Sequence, residues 1–472
     1  MNLRKYASKD VYKFLRKAYI TAFIGAVLTR VLLPIAILET QTVNTLVFSA
    51  VAIFGASIVC FDFFTQRIFL KQKNVVWLML FLAACAISSV INARFGVLGN
   101  VRNLVWLAIS FFLLYPLDAE LSRTEVKKEI KYVSNILILV WFVACTASLA
   151  MFFLQFGCYV DVLPDSFTRL GFVEGRLFGI FEDPNYAASV AIVVIIFLIF
   201  NIKTSKNVAL KAFYGLNIAV NFCYITLSGS RTAELAAAVT AVLGLYFVLL
   251  KRFETVNIRL NRALKQIALI VISLTCGLSV FLSVNITRKG LAYLPQFVGT
   301  PFEQASISDA RLKKHVNMNR DDVVNSTDVS NCRFKIWESA LELFLSAPIF
   351  GTSPRNMRVY AKELFPNGFI AQRAYAVHNA YLDVFTSTGV VGAVFLIVFF
   401  VKYLIFVFKH LFLAPADENY YIVLISFAIV VAVAVSAFFL SEIFFVNTIN
   451  VLTFWLSMGY SGYFAKAEAK NW

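Results

Sequence analysis

The chain has 472 residues, 60% hydrophobic and 15% charged, with a mean hydropathy of +0.76 and a formal net charge of +16. A soluble domain averages about 45–50% apolar and about 25% charged residues, so no single water-soluble core hides this much apolar surface. Soluble enzyme, secreted scaffold and disordered chain are thereby excluded, and the surplus must face lipid.

In chain order the apolar stretches cover 18–38, 43–64, 75–92, 104–117, 132–156, 184–200, 208–227, 232–250, 266–286, 380–408, 420–440 and 444–464. A helix needs roughly 20 residues to cross a bilayer. Backbone polar groups in hydrocarbon must pair internally, so these stretches are predicted helices; a barrel would show short alternating segments. The expected fold is an all-α polytopic membrane protein with about 12 transmembrane helices, the fourth short and the tenth long. A large structured extracytoplasmic loop is expected between helices 9 and 10. Residues 1–286 then carry helices 1–9, residues 287–379 the loop with an amphipathic helix, and residues 380–472 helices 10–12.

A cytoplasmic N-terminus sorts the basic residues. The inner side receives the clusters around Arg4–Lys17, Arg67–Lys73, Arg123–Lys131, Lys203–Lys211 and Lys251–Lys265, then Lys402, Lys409, Lys466 and Lys470. That is about 25 of the 43 Lys and Arg, as the positive-inside rule requires. The short outer loops keep Arg94, Arg102, Arg169, Arg176 and Arg231. Most of the net charge is therefore topology rather than a nucleic-acid footprint, and both termini are expected in the cytoplasm. The basic start runs into a full-length span without a clear cleavage site, so that span is expected to be retained. The seven cysteines form no CxxC pair, and His315, His378 and His410 have no metal-ligand spacing.

The polar region 287–379 exceeds a connector and is expected to have structure of its own. Residues 311–330 read as a polar excursion. Over 331–345, Phe334, Trp337, Leu341, Phe344 and Leu345 recur at helical spacing, predicting an amphipathic helix on the membrane surface or capping the bundle. Pro348, Gly351 and Pro354 follow as breakers.

Polar groups gathered near the outer membrane face mark four candidate places. In 175–189, Asp183 suits an N-cap and Pro184 a first helical residue, with Arg176 just before. In 227–235, Gly229 allows a tight turn and Arg231 enters the first turn of the next span. Free N–H groups and an Arg fork there suit a phosphate, although Arg231 also has Glu234 three residues on as a simple ion-pair partner. The third place is Arg333, with Arg355, Arg358 and Arg373 in the same loop. In 377–392, His378 stands at a loop-to-span boundary, either as an interfacial cap or as a general base, with Asp383 about one turn deeper.

At these residues the sequence resembles the O-antigen ligase and O-antigen polymerase superfamily, from about residue 170 onward. The resemblance rests on Arg176 with Gly179, Phe181 and Asp183-Pro184-Asn185; on Gly229-Ser230-Arg231 with Leu235; and on Arg333 with Trp337, Ala340, Leu341 and Phe344. It ends on His378-Asn379 followed by Gly389 and Gly392. The resemblance implies metal-independent, inverting glycan transfer at the outer face of the bacterial cytoplasmic membrane, without a cofactor. The donor would be an undecaprenyl-diphosphate-linked oligosaccharide and the acceptor a sugar hydroxyl, with membrane lipids, a flippase and a chain-length regulator as partners and no nucleic acid.

Fixed arginines and a helix N-terminus suit the charge of a departing diphosphate. Arg176, Arg231, Arg333 and Arg355 are the diphosphate candidates. His378, Arg231 and Asp383 are the catalytic ones, with His378 taking the hydroxyl proton unless Asp383 or Glu234 does so. No D-x-D-like motif lies in the outer loops, which disfavours a metal-dependent transferase. The wording of 171–189 resembles capsule or exopolysaccharide polymerases, so polymerase is preferred. A ligase acting on a lipid A core acceptor is the alternative. A transporter is the rival of another class, but its usual matching halves around a central cytoplasmic loop are not seen here.

Overall fold

The computed structural model describes residues 2–36, 41–72, 74–163, 166–255, 261–298, 316–320 and 330–469. Most of the expected polar excursion at 311–330 lies outside the described residues. The helices are α1 (Asn2–Val31), α2 (Leu33–Ala36), α3 (Gln41–Thr65), α4 (Val75–Ile91), α5 (Leu98–Ile109), α6 (Arg123–Phe153), α7 (Pro184–Thr204) and α8 (Val208–Ser228). They continue as α9 (Arg231–Thr255), α10 (Arg262–Leu291), α11 (Arg333–Ser346), α12 (Met357–Leu364), α13 (Phe369–Arg373), α14 (Ala380–Leu413), α15 (Glu418–Ser436) and α16 (Ile449–Ala469). Among the described residues, eight are long and apolar enough to cross a membrane: α3, α6 to α10, α14 and α15. The remaining apolar stretches of the sequence fall on α1, α4, α5 and α16. This is a helical, multi-pass membrane protein.

One element departs from the all-helical expectation. Between α6 and α7 the chain forms β1 (Gly157–Leu163), β2 (Ser166–Val173) and β3 (Arg176–Gly179), an antiparallel meander in the order β1-β2-β3. The β2–β3 turn is Glu174-Gly175, with φ of 54° and 70°. Two left-handed central residues are what a tight, twist-matched hairpin requires.

The chain divides into two units. One comprises Val27–Asn44 and Lys128–Asn331, hence most of α6, the meander and α7 to α10. In it the meander is fastened to the helices through β3 and the residues after it. Tyr224 of α8 donates its hydroxyl to the Phe178 carbonyl at 3.3 Å, and Phe181 packs between Trp141 (5.7 Å) and Tyr224 (5.0 Å). Ser148 Oγ of α6 accepts the Ile180 N–H at 3.1 Å.

The other unit comprises Met1–Ala26, Thr45–Lys127 and Cys332–Trp472. Its interior is aromatic: Trp455 of α16 lies 4.9 Å from Phe111 and 6.1 Å from Phe399 of α14. Arg16 is buried because the end of the short fourth span supplies acceptors. The last turns there, Ser110–Leu114, form a π-helix, and the Arg16 guanidinium donates to the carbonyls of Leu113, Leu114 and Pro116.

The long tenth span is broken. Gly389 has φ 62° and ψ −164°, so α14 is two helical segments meeting at a non-helical residue. The backbone groups freed there are taken up by the breaker segment after α11. Val390 and Val391 N–H donate to the Pro348 and Ile349 carbonyls at 2.8 and 3.2 Å, and Thr352 and Ser353 N–H donate to the Thr386 and Ser387 carbonyls at 2.8 and 3.0 Å. This pairing is the condition on which a helix break survives at membrane depth. Polar side chains of the same unit complete it: Asn92 Nδ2 donates to the Gly351 carbonyl at 2.9 Å, Ser88 Oγ to the Ser387 carbonyl at 2.8 Å, and Asn100 Nδ2 to Ser353 Oγ at 3.1 Å.

The predicted amphipathic helix is α11, but its buried face is Ile336, Ser339, Ala340 and Leu343, packed with Tyr360, Ile370 and Val377. Phe334, Leu341 and Leu345 of the predicted stripe remain exposed. The helix is apolar on two faces; one joins a small core and the other stays bare.

Candidate functional site

The α8–α9 turn collects arginines. Gly229 ends α8 in the left-handed conformation (φ 61°) and α9 begins at Arg231, so the carbonyls of Ser228 and Gly229 point away from both helices' ladders. Both carbonyls are met by guanidinium groups. Arg176, on β3 and buried, donates from Nε to the Ser228 carbonyl at 2.8 Å and from Nη2 to Asn185 Oδ1 at 2.9 Å. Arg320 donates from Nη1 to the Gly229 carbonyl at 2.8 Å.

Arg288, near the end of α10, completes the group. Its Nη2 donates to the carbonyls of Met318 at 2.8 Å and Gly175 at 3.3 Å. A Cβ on Gly229 would lie 3.3 Å from Arg288 Nη2 and 3.4 Å from Arg320 Cδ, so both arginines pack closely on this left-handed glycine. Arg231 itself is exposed at the first position of α9. The buried carboxylate of Glu234 lies in the field of Arg288 first, then Arg231 and Arg320, so its partnership is wider than one i,i+3 pair.

The DPN stretch behaves as its residue types predict. Asp183 caps α7 by accepting the Asn185 N–H at 2.8 Å, with Pro184 at the first helical position. Asn185 is thus fixed by the cap and in turn holds Arg176. Arg176 and Arg231 are brought to one turn, and sequence reasoning missed Arg288 and Arg320. The only signal for these two was their charge, in TRKG and NRDD; their partners lie 30 to 113 residues of chain away.

The other candidates lie in the second unit described above. His378 is half-buried with φ 51°, a left-handed residue directly before α14, and its ring centroid is 6.4 Å from that of Tyr375. Asn379 is the N-cap: Oδ1 accepts the N–H groups of Tyr381 and Leu382, both at 3.0 Å. Asp383 sits in the first turn of α14, in the field of Arg358 and Arg355.

Arg333 opens α11 with its guanidinium 5.4 Å from the Phe439 ring, and Arg355 donates to the Phe445 carbonyl at 3.4 Å. Both therefore reach the non-helical segment between α15 and α16, as does α14 through the Ala380 N–H to the Ala437 carbonyl at 2.8 Å. This segment holds a buried carboxylate that sequence reasoning missed. Glu442 Oε1 accepts from Asn450 Nδ2 at 2.8 Å, beside Ile443 at a left-handed φ of 82°. A β-branched residue in that region is strained and must be held; Trp455 Nε1 does so by donating to the Ile443 carbonyl at 3.1 Å.

A surface cavity of about 490 Å³ is bordered by Arg358 of the third candidate place together with Lys362, Glu363 and Ile370, and includes none of the proposed catalytic or diphosphate residues. Among the described residues, no three His, Cys, Asp or Glu side chains gather as a metal-ligand set.

These features define a multi-pass helical membrane protein whose buried and half-buried arginines are ordered around a helix start. Residues 216–397, from within α8 to beyond the Gly389 break of α14, match the family described as O-antigen ligase, and this supports the O-antigen ligase and polymerase superfamily for the chain. The match supports a function of the O-antigen ligase or polymerase type. No curated protein matches the chain significantly.

Proposed function

We propose that the protein polymerises a surface polysaccharide at the outer face of the bacterial cytoplasmic membrane, its termini in the cytoplasm, using undecaprenyl-diphosphate-linked repeat units. The acceptor's terminal sugar hydroxyl attacks the anomeric carbon of the donor glycan. The bond to the phosphate oxygen breaks, the configuration inverts, and lipid diphosphate leaves with the electron pair. His378 takes the hydroxyl proton, and Asp383 positions it or serves in its place.

The observation that carries this reading is the arginine cluster at the α8–α9 turn. Arg176 and Arg320 are anchored on the Ser228 and Gly229 carbonyls, and Arg231 stands exposed at the helix start. Preorganised cations of this kind stabilise a leaving diphosphate without reorganising during the reaction. Arg333 and Arg355 are assigned as further cations for the diphosphate. A flippase and a chain-length regulator are the natural partners of such a reaction.

The ligase reading has one specific observation in its favour: the description of the matched family, whose match takes in His378, Asn379, Gly389 and Gly392. The two readings separate in one assay. Purified protein given lipid-diphosphate-linked repeat units alone yields a ladder of longer glycans if it is a polymerase. Product only on addition of a lipid core acceptor identifies a ligase, and no product in either case overturns both.

A further inference from the structure

The exposed face of the meander carries aromatic rings interleaved with arginines. Tyr159 on β1 and Phe167 on β2 are 55% and 54% exposed, with ring centroids 5.3 Å apart. Tyr159 stands opposite Arg169 in the β1–β2 register. The Arg169 guanidinium lies 5.3 Å from the Phe167 ring and 5.5 Å from the Phe178 ring, and Arg176 lies 5.6 Å from Phe178 on β3. Phe167, Arg169, Phe178 and Arg176 thus form a continuous ladder across the sheet, from its open end to the buried arginine that grips the α8–α9 turn. Glu174, in the β2–β3 turn, accepts from the Tyr159 hydroxyl at 3.0 Å and lies 2.9 Å from Arg169 Nε.

We propose that this face, around Tyr159, Phe167, Arg169 and Glu174, is a sugar-binding subsite for the glycan of the lipid-linked substrate. A pyranose ring has an apolar C–H face and a rim of hydroxyls. An exposed aromatic ring takes the first, and a carboxylate and a guanidinium held beside it take the second. The inference rests on the transferase reading through one chemical necessity: in a diphosphate-linked donor the first sugar is bonded directly to phosphate, so a sugar subsite must adjoin the diphosphate. The ladder ends on Arg176, one of the arginines assigned to that diphosphate. Exposed Tyr and Phe also anchor proteins at membrane interfaces. Here, however, the Tyr159 hydroxyl and Arg169 are both engaged by Glu174 across the sheet, an arrangement that presents a polar rim to a ligand.

The test uses the full chain in detergent and two probes: inorganic pyrophosphate, and the lipid-free repeat-unit oligosaccharide released by mild acid from the cell's own lipid-linked intermediate. Tyr159→Ala with Phe167→Ala should weaken oligosaccharide binding by about tenfold or more, as loss of a stacked aromatic anchor does, and leave pyrophosphate affinity unchanged. Tyr159→Phe, which keeps the ring, should stay within about threefold of the parent. If the double variant misfolds, the single alanine variants carry the same comparison.

Unchanged oligosaccharide affinity in the alanine variants overturns the proposal. So does unchanged affinity accompanied by weaker quenching from brominated lipids, which identifies the face as a membrane anchor. Failure of the parent protein to bind pyrophosphate or transfer glycan, with oligosaccharide binding intact and sensitive to Tyr159, instead overturns the transferase reading and leaves the sugar subsite standing.

Discussion

The Arg176 Nε–H donates to the Ser228 carbonyl at 2.8 Å, so a strand between two helices holds the end of a third. Replacing Arg176 by Ala removes a cation and also strands a buried carbonyl, which costs about 1–3 kcal/mol. Arg176→Lys keeps the charge but not the planar fork that reaches Ser228 and Asn185 together. Both variants should lower kcat/KM for the lipid-linked donor, Ala by about 100-fold or more, with the loss from Lys between Ala and the parent. Thermal melts alongside the transfer assay separate the two losses. Full activity in Arg176→Lys would remove the bidentate contact from the mechanism.

Glu234 lies in the field of Arg288, Arg231 and Arg320, and its charge when ionised offsets part of theirs. Glu234→Gln removes one negative charge and leaves the shape nearly intact. Anion affinity at the turn should therefore rise, lowering the inhibition constant of pyrophosphate, and the effect should fade as salt screens the field. Arg288→Ala should act in the opposite direction. Matching inhibition constants in the parent and Glu234→Gln would show that the turn does not bind the diphosphate.

Some of this arrangement was legible in the sequence. Asp183-Pro184 starts a helix and Gly229 ends one, because capping depends on residues a few positions apart; at α14, however, the cap is Asn379 rather than the His378 that the sequence suggested, since the amide oxygen of Asn379 reaches the Tyr381 and Leu382 N–H groups. The twelve apolar stretches fall on helices for the same local reason. The meander was not read, although Glu174-Gly175 between alternating residues is a hairpin signal, because short strands between two spans look like connector. The break at Gly389 was invisible to hydropathy, since apolar residues continue on both sides and only φ changes. Arg288 and Arg320 reach the turn through tertiary contacts that no local pattern encodes. In α11 the stripe Phe334, Trp337, Leu341, Phe344 and Leu345 predicts a helix on the membrane surface or capping the bundle, but Ile336, Ala340 and Leu343 form a second apolar face, and that one packs inward.

Gly389 should be the least replaceable glycine in α14. Its φ of 62° with ψ of −164° is a region left almost wholly to glycine, and a Cβ there would stand 2.3 Å from the Ile349 backbone. Gly389→Ala is expected to abolish recovery of folded protein, because both the strain and the clash are with backbone. Gly392→Ala would press on Thr388 Oγ1 at 2.2 Å and Cβ at 2.4 Å, an overlap that side-chain rotation relieves only in part, but without a left-handed φ or a backbone clash it should be less severe than Gly389→Ala. Gly244→Ala, where a Cβ meets nothing within 4 Å, should be neutral or stabilising by up to about 1 kcal/mol. Size-exclusion profiles and melting temperatures rank the three; equal behaviour of Gly389→Ala and Gly244→Ala would contradict the helix break.

The imidazole of His378 and the cap that follows it can be tested separately. His378→Ala replaces a residue that tolerates the left-handed region with one that tolerates it less at φ 51°, so some loss of stability would accompany the loss of the imidazole. His378→Asn is the cleaner variant, since Asn accepts that conformation and carries no base. It should fold normally and yield no glycan product; a product ladder from it would end the role of His378 as proton acceptor. Asn379→Ala removes the acceptor of the Tyr381 and Leu382 N–H groups, which should cost about 1 kcal/mol and reduce kcat by loosening the residue before it. Asn379→Asp and Asn379→Ser restore a cap and should restore most of both losses. If stability returns with Asp but activity does not, the Asn379 amide touches the substrate, and its place in the reaction is more than that of a helix cap.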